Sequence, residues 1–293
     1  MPTPSIDPQT GICQIEKKLY PAVGFGTYPL TGKTCQEAVM EAITRGYRII
    51  DTATRYKNFD AIAKALHNKP RDLFYLISKV WHDKQTTCSV YDDVTATLKQ
   101  LEVDYLDAYL VHWPNSQVPI EETLGAMDTL RCEKKIRHIG LSNVTTSHLQ
   151  RALECQIPIT WVQTEMHAHF FDPHLLTFCK THGIGMQAWS PLGRGAIKED
   201  PLLKVIGERH SKTATQIALK WIVQHGCIPI PNSSNPEHIQ SNQDIYDFML
   251  SAEEMHSIDL QAAHGTRLRP KKEHIGFQDE FDFSYAQCWP TQK

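Results

Sequence analysis

The 293-residue chain lacks most of the features that decide a protein's class at once. It has no run approaching the roughly 18 apolar residues of a membrane span. Its net charge of -3 leaves no basic excess to hold nucleic acid or an acidic lipid surface. The first eight residues, Met1-Pro2-Thr3-Pro4-Ser5-Ile6-Asp7-Pro8, have no basic start and no apolar core, so no signal peptide is expected. The eight cysteines, spread from Cys13 to Cys288, include no C-x-x-C pair. Reduced, mostly buried thiols and a cytosolic (cytoplasmic) location are the expectation. Without secretion, the sequons at Asn143-Val144-Thr145 and Asn232-Ser233-Ser234 are chance matches. No G-x-G-x-x-G follows an early strand, so the fingerprint of a dinucleotide-binding open sheet is missing.

What is present is an alternation. Eight short, mostly apolar runs read as strands covered on both faces: 23–27, 48–51, 73–79, 106–112, 138–142, 161–165, 185–189 and 227–231. Amphipathic stretches lie between them, with Val90, Val94, Leu98 and Leu101 at helical spacing. Asp172-Pro173 reads as a cap followed by a first-turn proline, and Thr213 to Gln216 and Ser251 to Glu254 read as capping boxes. Gly46, Gly183 and Gly226 stand where helices need a left-handed terminus.

Eight such β/α units favour a (β/α)8 barrel over an open doubly wound sheet. The expectation is one α/β domain over 1–293, with the barrel at about 20–262. A hairpin over 12–19 would cap it, and an irregular tail, 263–293, would lie over the active-site face.

Four polar residues stand at or just beyond strand ends: Asp51, Tyr56, Lys79 and His112. Reducing a carbonyl with a hydride donor needs an acid to protonate the developing alkoxide. A tyrosine serves if a cation lowers its pKa from about 10. Lys79 is the candidate cation, Asp51 keeps it charged, and His112 orients the carbonyl oxygen. Taken singly each has a bland reading: a solvated lysine, a turn-forming aspartate, a surface tyrosine, a structural histidine.

The motifs around them carry a resemblance to the aldo-keto reductase family over residues 20–269. They are Gly24-Phe25-Gly26-Thr27, Gly46-Tyr47-Arg48-Ile49-Ile50-Asp51-Thr52-Ala53, Ser78-Lys79-Val80-Trp81, Leu110-Val111-His112-Trp113-Pro114, Ile139-Gly140-Leu141-Ser142-Asn143 and Ser190-Pro191-Leu192-Gly193. The chain is similar to the short-loop microbial, diketogluconate-reductase-like type. The resemblance implies the barrel, NAD(P)H-dependent reduction of an aldehyde or ketone, and Tyr56 as the acid of a tetrad.

It also implies cofactor positions. Ser142, Asn143 and Gln163 would hold the nicotinamide, with Trp189 stacked on it where the family usually has Tyr. Gly26, Thr27, Ser190, Leu192, Gly193 and Arg194 would lie along the cofactor, followed by Ile230, Ser233, Ser234 and, beside the adenine, Asn242. The pocket would be walled by Tyr28, Trp81 and Trp113. Where the family places Lys and Arg against the 2′-phosphate, this chain has Asn232 and His238, so weak discrimination between NADPH and NADH is expected. The loop after Gly195 is short, which favours fast cofactor release. Asn58-Phe59 departs from the usual Asn-Glu beside the acid. His167 and His169 mimic a metal pair, but no third ligand is evident and no metal is expected. A small carbonyl compound is the expected partner, with no nucleic acid or membrane, and the protein is expected to be a monomer. Two alternatives stay open: an alcohol dehydrogenase working in reverse, and a cofactor-sensing protein with little turnover.

Overall fold

The computed structural model describes residues 3–115, 117–265 and Leu268. Three short antiparallel strands come first, β1 (Ser5–Asp7), β2 (Ile12–Ile15) and β3 (Lys18–Pro21), in spatial order. The expected hairpin is β2–β3. Strand β1 is added because the Asp7 carboxylate accepts from Gln9 N and Thr10 Oγ1 and so closes a second turn. Alternation in β2 buries Cys13 and Ile15, and in β3 Tyr20 meets Tyr75 edge-on at 5.5 Å.

Eight parallel strands follow: β4 (Phe25–Gly26), β5 (Ile49–Asp51), β6 (Tyr75–Val80), β7 (Leu106–Val111), β8 (Ile136–Ser142), β9 (Ile159–Glu165), β10 (Gly185–Trp189) and β11 (Cys227–Ile230). Each pairs with its neighbours in chain order. Gly24 N donates to Pro229 O at 3.0 Å and Gly26 N to Pro231 O at 2.9 Å, which closes the ring. Only Arg137 and Trp189 among these strand residues are not buried. That is why the strands read as continuous apolar runs rather than alternating ones.

Helices α1 (Gly32–Thr44), α2 (Phe59–Leu66), α3 (Thr87–Leu101), α4 (Ile120–Cys132), α5 (Thr146–Glu154), α6 (Pro173–Thr181), α7 (Pro201–His210) and α8 (Ala214–Gln224) surround the barrel, with the short α9 (Pro236–Ser241) and α10 (Ala252–Ala263) after β11. The Asp172 cap and both capping boxes form, and Gly46, Gly183 and Gly226 all have positive φ.

Several boundaries differ from the sequence reading: β4 is shorter than 23–27, and β8 and β9 each begin two residues earlier, at Ile136 and Ile159. Arg71–Leu73 is a 3-10 turn, because the Arg71 guanidinium holds Phe74 O, Tyr105 O and Asp107, and the strand starts later. Helix α10 takes in Ala263, the first residue assigned to the tail. Leu268 N donates to Glu165 Oε1 at 2.5 Å, and residues 266, 267 and 269–293 of the expected tail lie outside the described residues. Cysteine burial is also less complete than expected. Cys13, Cys35, Cys179 and Cys227 are buried, but Cys88 and Cys132 are exposed and Cys155 is half-buried.

Candidate active site

The quartet assembles where the sequence placed it. Asp51 ends β5, Lys79 lies one residue from the end of β6, His112 follows β7, and Tyr56 closes the 3-10 turn Thr54–Tyr56. Lys79 Nζ donates to Asp51 Oδ1 at 2.7 Å, to Thr52 O at 3.1 Å and to Tyr56 Oη at 3.3 Å. The Tyr56 ring meets His112 edge-on at 5.6 Å and Tyr28 at 5.1 Å. The second Asp51 oxygen accepts from Gln163 Nε2 at 2.9 Å, and the same nitrogen lies 2.9 Å from Gln187 Oε1.

The electrostatics correct one expectation. The pull of Lys79 on Tyr56 does not prevail: burial, with the Asp51 carboxylate and Tyr28, raises the phenol well above its ordinary value. Asp51 largely cancels the ammonium at 2.7 Å, so desolvation of the phenolate dominates. Tyr56 therefore keeps its proton at neutral pH. Burial lowers Lys79 against the opposing pull of Asp51. Burial, then Lys79, His82 and Arg55, pushes His112 well below its ordinary value, so its imidazole is neutral.

Support for the Tyr56 turn comes from residues that sequence reasoning missed. Thr54 Oγ1 donates to Asp93 Oδ2 at 2.8 Å and lies 3.2 Å from Lys79 O. Tyr109 Oη donates to the same Asp93 oxygen at 2.6 Å, and Lys84 Nζ approaches Asp93 Oδ1 at 3.3 Å. Asp93 stands beside Val94 in α3, and its burial shows only once the barrel is closed. Asn58 is buried as well. It accepts from Thr52 Oγ1 at 2.7 Å and donates to Thr27 Oγ1 and Leu30 O, each at 3.0 Å. The unusual Asn58-Phe59 step thus still anchors the loop.

A cavity of about 1240 Å³ opens above these groups. Its wall includes Gly26, Ser142, Asn143, Gln163, Trp189, Ser190, Leu192, Arg194, Ile230, Asn232, Ser233, His238 and Asn242, with Tyr28, Trp81 and Trp113. Three expected cofactor positions are not on it. Thr27 is fully buried, with Oγ1 bonded to Asp51 O at 2.9 Å, and Gly193 and Ser234 lie off the wall. Arg55, Lys57, Lys198 and Thr213 to Thr215 are on the wall but were not expected there. The Thr213 motif reads as a helix cap, and only the fold brings that cap to the rim.

Asn143 sits at φ +58 and is clasped by its neighbours. Its Nδ2 donates to His112 O at 2.9 Å, and its Oδ1 accepts from Trp189 Nε1 at 2.9 Å. Asn232 Nδ2 donates to Tyr28 O across the barrel seam. Ser190, Gly193, Arg194 and Gly195 all have positive φ, and Gly193 N donates to Ser190 O at 2.9 Å and Gly195 N to Leu192 O at 2.8 Å, so the segment folds as consecutive tight turns at the cavity rim. These features fit a dinucleotide: amides for a carboxamide, a flat ring and a tightly turned backbone. His167 and His169 each face a carboxylate, Glu165 at 3.0 Å and Asp200 at 2.5 Å. Among the described residues no group of three possible metal ligands is found.

A closed parallel barrel with Asp, Tyr, Lys and His on one rim of a dinucleotide-sized cavity defines a barrel oxidoreductase. The chain belongs to the aldo/keto reductase family, whose model matches residues 22–262. It is 37% identical over 246 residues to a glyoxal reductase of Bacillus subtilis, covering 82% of this chain and 88% of that one. It is 36% identical to a 9,11-endoperoxide prostaglandin H2 reductase of Trypanosoma cruzi, covering 82% and 87%. Among solved structures, an aldo/keto reductase from Brucella melitensis superposes with TM-score 0.81 at 35% identity over 89% of this chain and 99% of that one. A Bombyx mori aldo-keto reductase in complex with NADP superposes with TM-score 0.82 at 27% identity over 90% and 96%. The protein is an NAD(P)H-dependent carbonyl reductase of this family. No described helix is long and apolar enough to cross a membrane.

Proposed function

We propose that Tyr56 is the proton donor in reduction of an aldehyde or ketone, within a site complete in one barrel domain. The observation that carries this is Lys79 Nζ, set between Asp51 at 2.7 Å and Tyr56 Oη at 3.3 Å. When bound, the reduced nicotinamide supplies the hydride to the carbonyl carbon. Charge then develops on the carbonyl oxygen, and Tyr56 Oη delivers its proton there. Lys79 stabilises the phenolate left behind, Asp51 keeps Lys79 protonated, and the neutral His112 imidazole donates an N–H to the oxygen. Tyr28, Trp81 and Trp113 give the substrate end an apolar wall.

Ser142, Asn143 and Gln163 hold the carboxamide, Trp189 covers the ring, and 190–195 wraps the pyrophosphate. Asn232 and His238 supply no fixed cation, so NADPH and NADH are poorly discriminated. The short Gly193–Glu199 segment leads directly into α7, which favours fast release. Every group in this scheme comes from one chain, in keeping with a monomer. Burial pushes Cys35 up to about 11 and Cys13, Cys179 and Cys227 up to about 12, which suits thiols in a reducing cytosol.

The test is to titrate NADPH and NADH against tryptophan fluorescence and then follow their oxidation with a panel of aldehydes and ketones. Turnover is the expected result. Tight binding with no turnover across the panel would instead make the protein a cofactor sensor. NADPH binding more than a hundredfold tighter than NADH would remove the discrimination reading.

A further inference from the structure

The arginines divide in an informative way. Among the described residues, Arg45, Arg71, Arg131, Arg137, Arg151 and Arg209 each pair with a carboxylate within 4.0 Å. Arg48 donates to two backbone carbonyls. The remaining two, Arg55 and Arg194, have no such partner, and both line the cavity. Arg194 lies in the loop assigned to the pyrophosphate. Arg55 lies at the other end, immediately before Tyr56 in the same 3-10 turn.

The Arg55 guanidinium is 5.5 Å from the centroid of the Trp81 ring, and that ring meets His112 edge-on at 4.9 Å. The cation therefore stands one aromatic ring away from where the carbonyl oxygen is held. Among the described residues the wall holds a single carboxylate, Asp51, already taken by Lys79 and Gln163. Lys57, the residue after Tyr56, adds a second cation on the wall. In a chain of net charge -3, the described wall of the substrate end is thus cationic.

We propose that Arg55 is a specificity-determining residue that anchors a carboxylate on the substrate, so that the preferred substrates are aldehydes or ketones carrying an acidic group. A planar guanidinium binds a carboxylate through two parallel N–H···O bonds, and the Trp81 ring 5.5 Å away keeps the cation on the substrate side of the wall. The inference rests on the reductase reading and adds the substrate class to it.

The test compares 4-carboxybenzaldehyde with its neutral counterpart, methyl 4-formylbenzoate, at saturating NADPH. In the native protein kcat/KM should favour the acid by about tenfold or more, the scale of a charge-assisted contact. The acid-to-ester ratio should collapse toward one in Arg55→Met and recover in part in Arg55→Lys. A native ratio at or below one, or a ratio that survives Arg55→Met, overturns the proposal. Binding of 4-carboxybenzyl alcohol in the presence of NADP+, read by tryptophan fluorescence, gives an answer without turnover. If neither aldehyde is reduced, the reductase reading fails, yet binding still decides the role of Arg55. Weakening by tenfold or more in Arg55→Met supports the anchor, and equal affinity rejects it.

Discussion

Gln163 reaches from β9 to β5 and donates its side-chain N–H to Asp51 Oδ2 at 2.9 Å. With Lys79 on Oδ1, both oxygens of the carboxylate are engaged, so its orientation is fixed. The residue proposed to hold the nicotinamide carboxamide therefore also holds the carboxylate partner of Lys79. On the proposed roles, cofactor site and acid site share one hydrogen-bond network.

Gln163→Leu should expose this coupling. It leaves an Asp51 oxygen without its donor, which costs about 1–3 kcal/mol in a buried site. Chemical denaturation should show that loss, and both cofactor affinity and kcat should fall. A variant with weaker cofactor binding but native kcat and stability would separate the two sites.

Tyr56→Phe removes the proton and little else. General-acid catalysis contributes on the order of 10²–10⁴-fold, so kcat should fall by that amount. Cofactor affinity, titrated by fluorescence, should stay within about twofold. Lys79→Met should be harsher, because it leaves Asp51 buried without its cation, a change that costs roughly 3–5 kcal/mol. An active Tyr56→Phe enzyme would end the acid assignment.

The barrel and the rim positions of Asp51, Lys79 and His112 are legible in the chain because both are written in local signals. Strands buried on both faces are apolar runs, helix caps are short motifs, and Asp51, Lys79 and His112 stand at the strand ends a barrel rim requires. The missed residues carry no local signal. Asp93 sits beside Val94 in an amphipathic helix, and Arg55 reads as a surface cation. Their roles come from loops brought together across several elements. The direction of the Tyr56 shift was misread for a similar reason. Charge pairing can be inferred from residue types, whereas the desolvation that outweighs it depends on packing.

Acid should destabilise the protein in a defined window. His112, His138 and His148 have folded pKa values below their ordinary one, chiefly through burial. Below about pH 6.5 the unfolded chain binds protons that the folded chain does not. Stability is thus intact above that pH and is lost as pH falls toward the depressed values, by roughly 1.4 kcal/mol per pH unit for each such histidine. Denaturation between pH 7 and 5 should show this slope, and His138→Gln should remove one proton's share. A flat profile would contradict the neutral assignment.

Asn232→Lys combined with His238→Arg should restore a grip on the 2′-phosphate. Each charge-assisted contact contributes about 1.5–3 kcal/mol, roughly tenfold or more in affinity. NADPH should tighten accordingly in fluorescence titrations, while NADH should change little. Because Asn232 is bonded to Tyr28 O, the lysine variant also frees that carbonyl at the barrel seam. The His238→Arg single variant controls for this. Parallel gains for both cofactors would mean the new cations meet the shared pyrophosphate instead.

Asp93 should act on catalysis only through the turn that carries Tyr56. Its buried carboxylate accepts from Thr54 and Tyr109 on one oxygen and meets Lys84 on the other, tying the loop after β5 to the loop after β6. Asp93→Ala leaves the fully buried Tyr109 hydroxyl without its acceptor, at about 1–3 kcal/mol, and frees Thr54 to let the turn drift. A small displacement of the acid weakens proton transfer more than cofactor binding. The expected result is therefore a kcat lowered about tenfold or more, with cofactor affinity retained. Asp93→Asn, which keeps an acceptor for both hydroxyls, should recover most of the rate. If Asp93→Ala loses stability but keeps native kcat, Asp93 supports the fold alone and not the geometry of Tyr56.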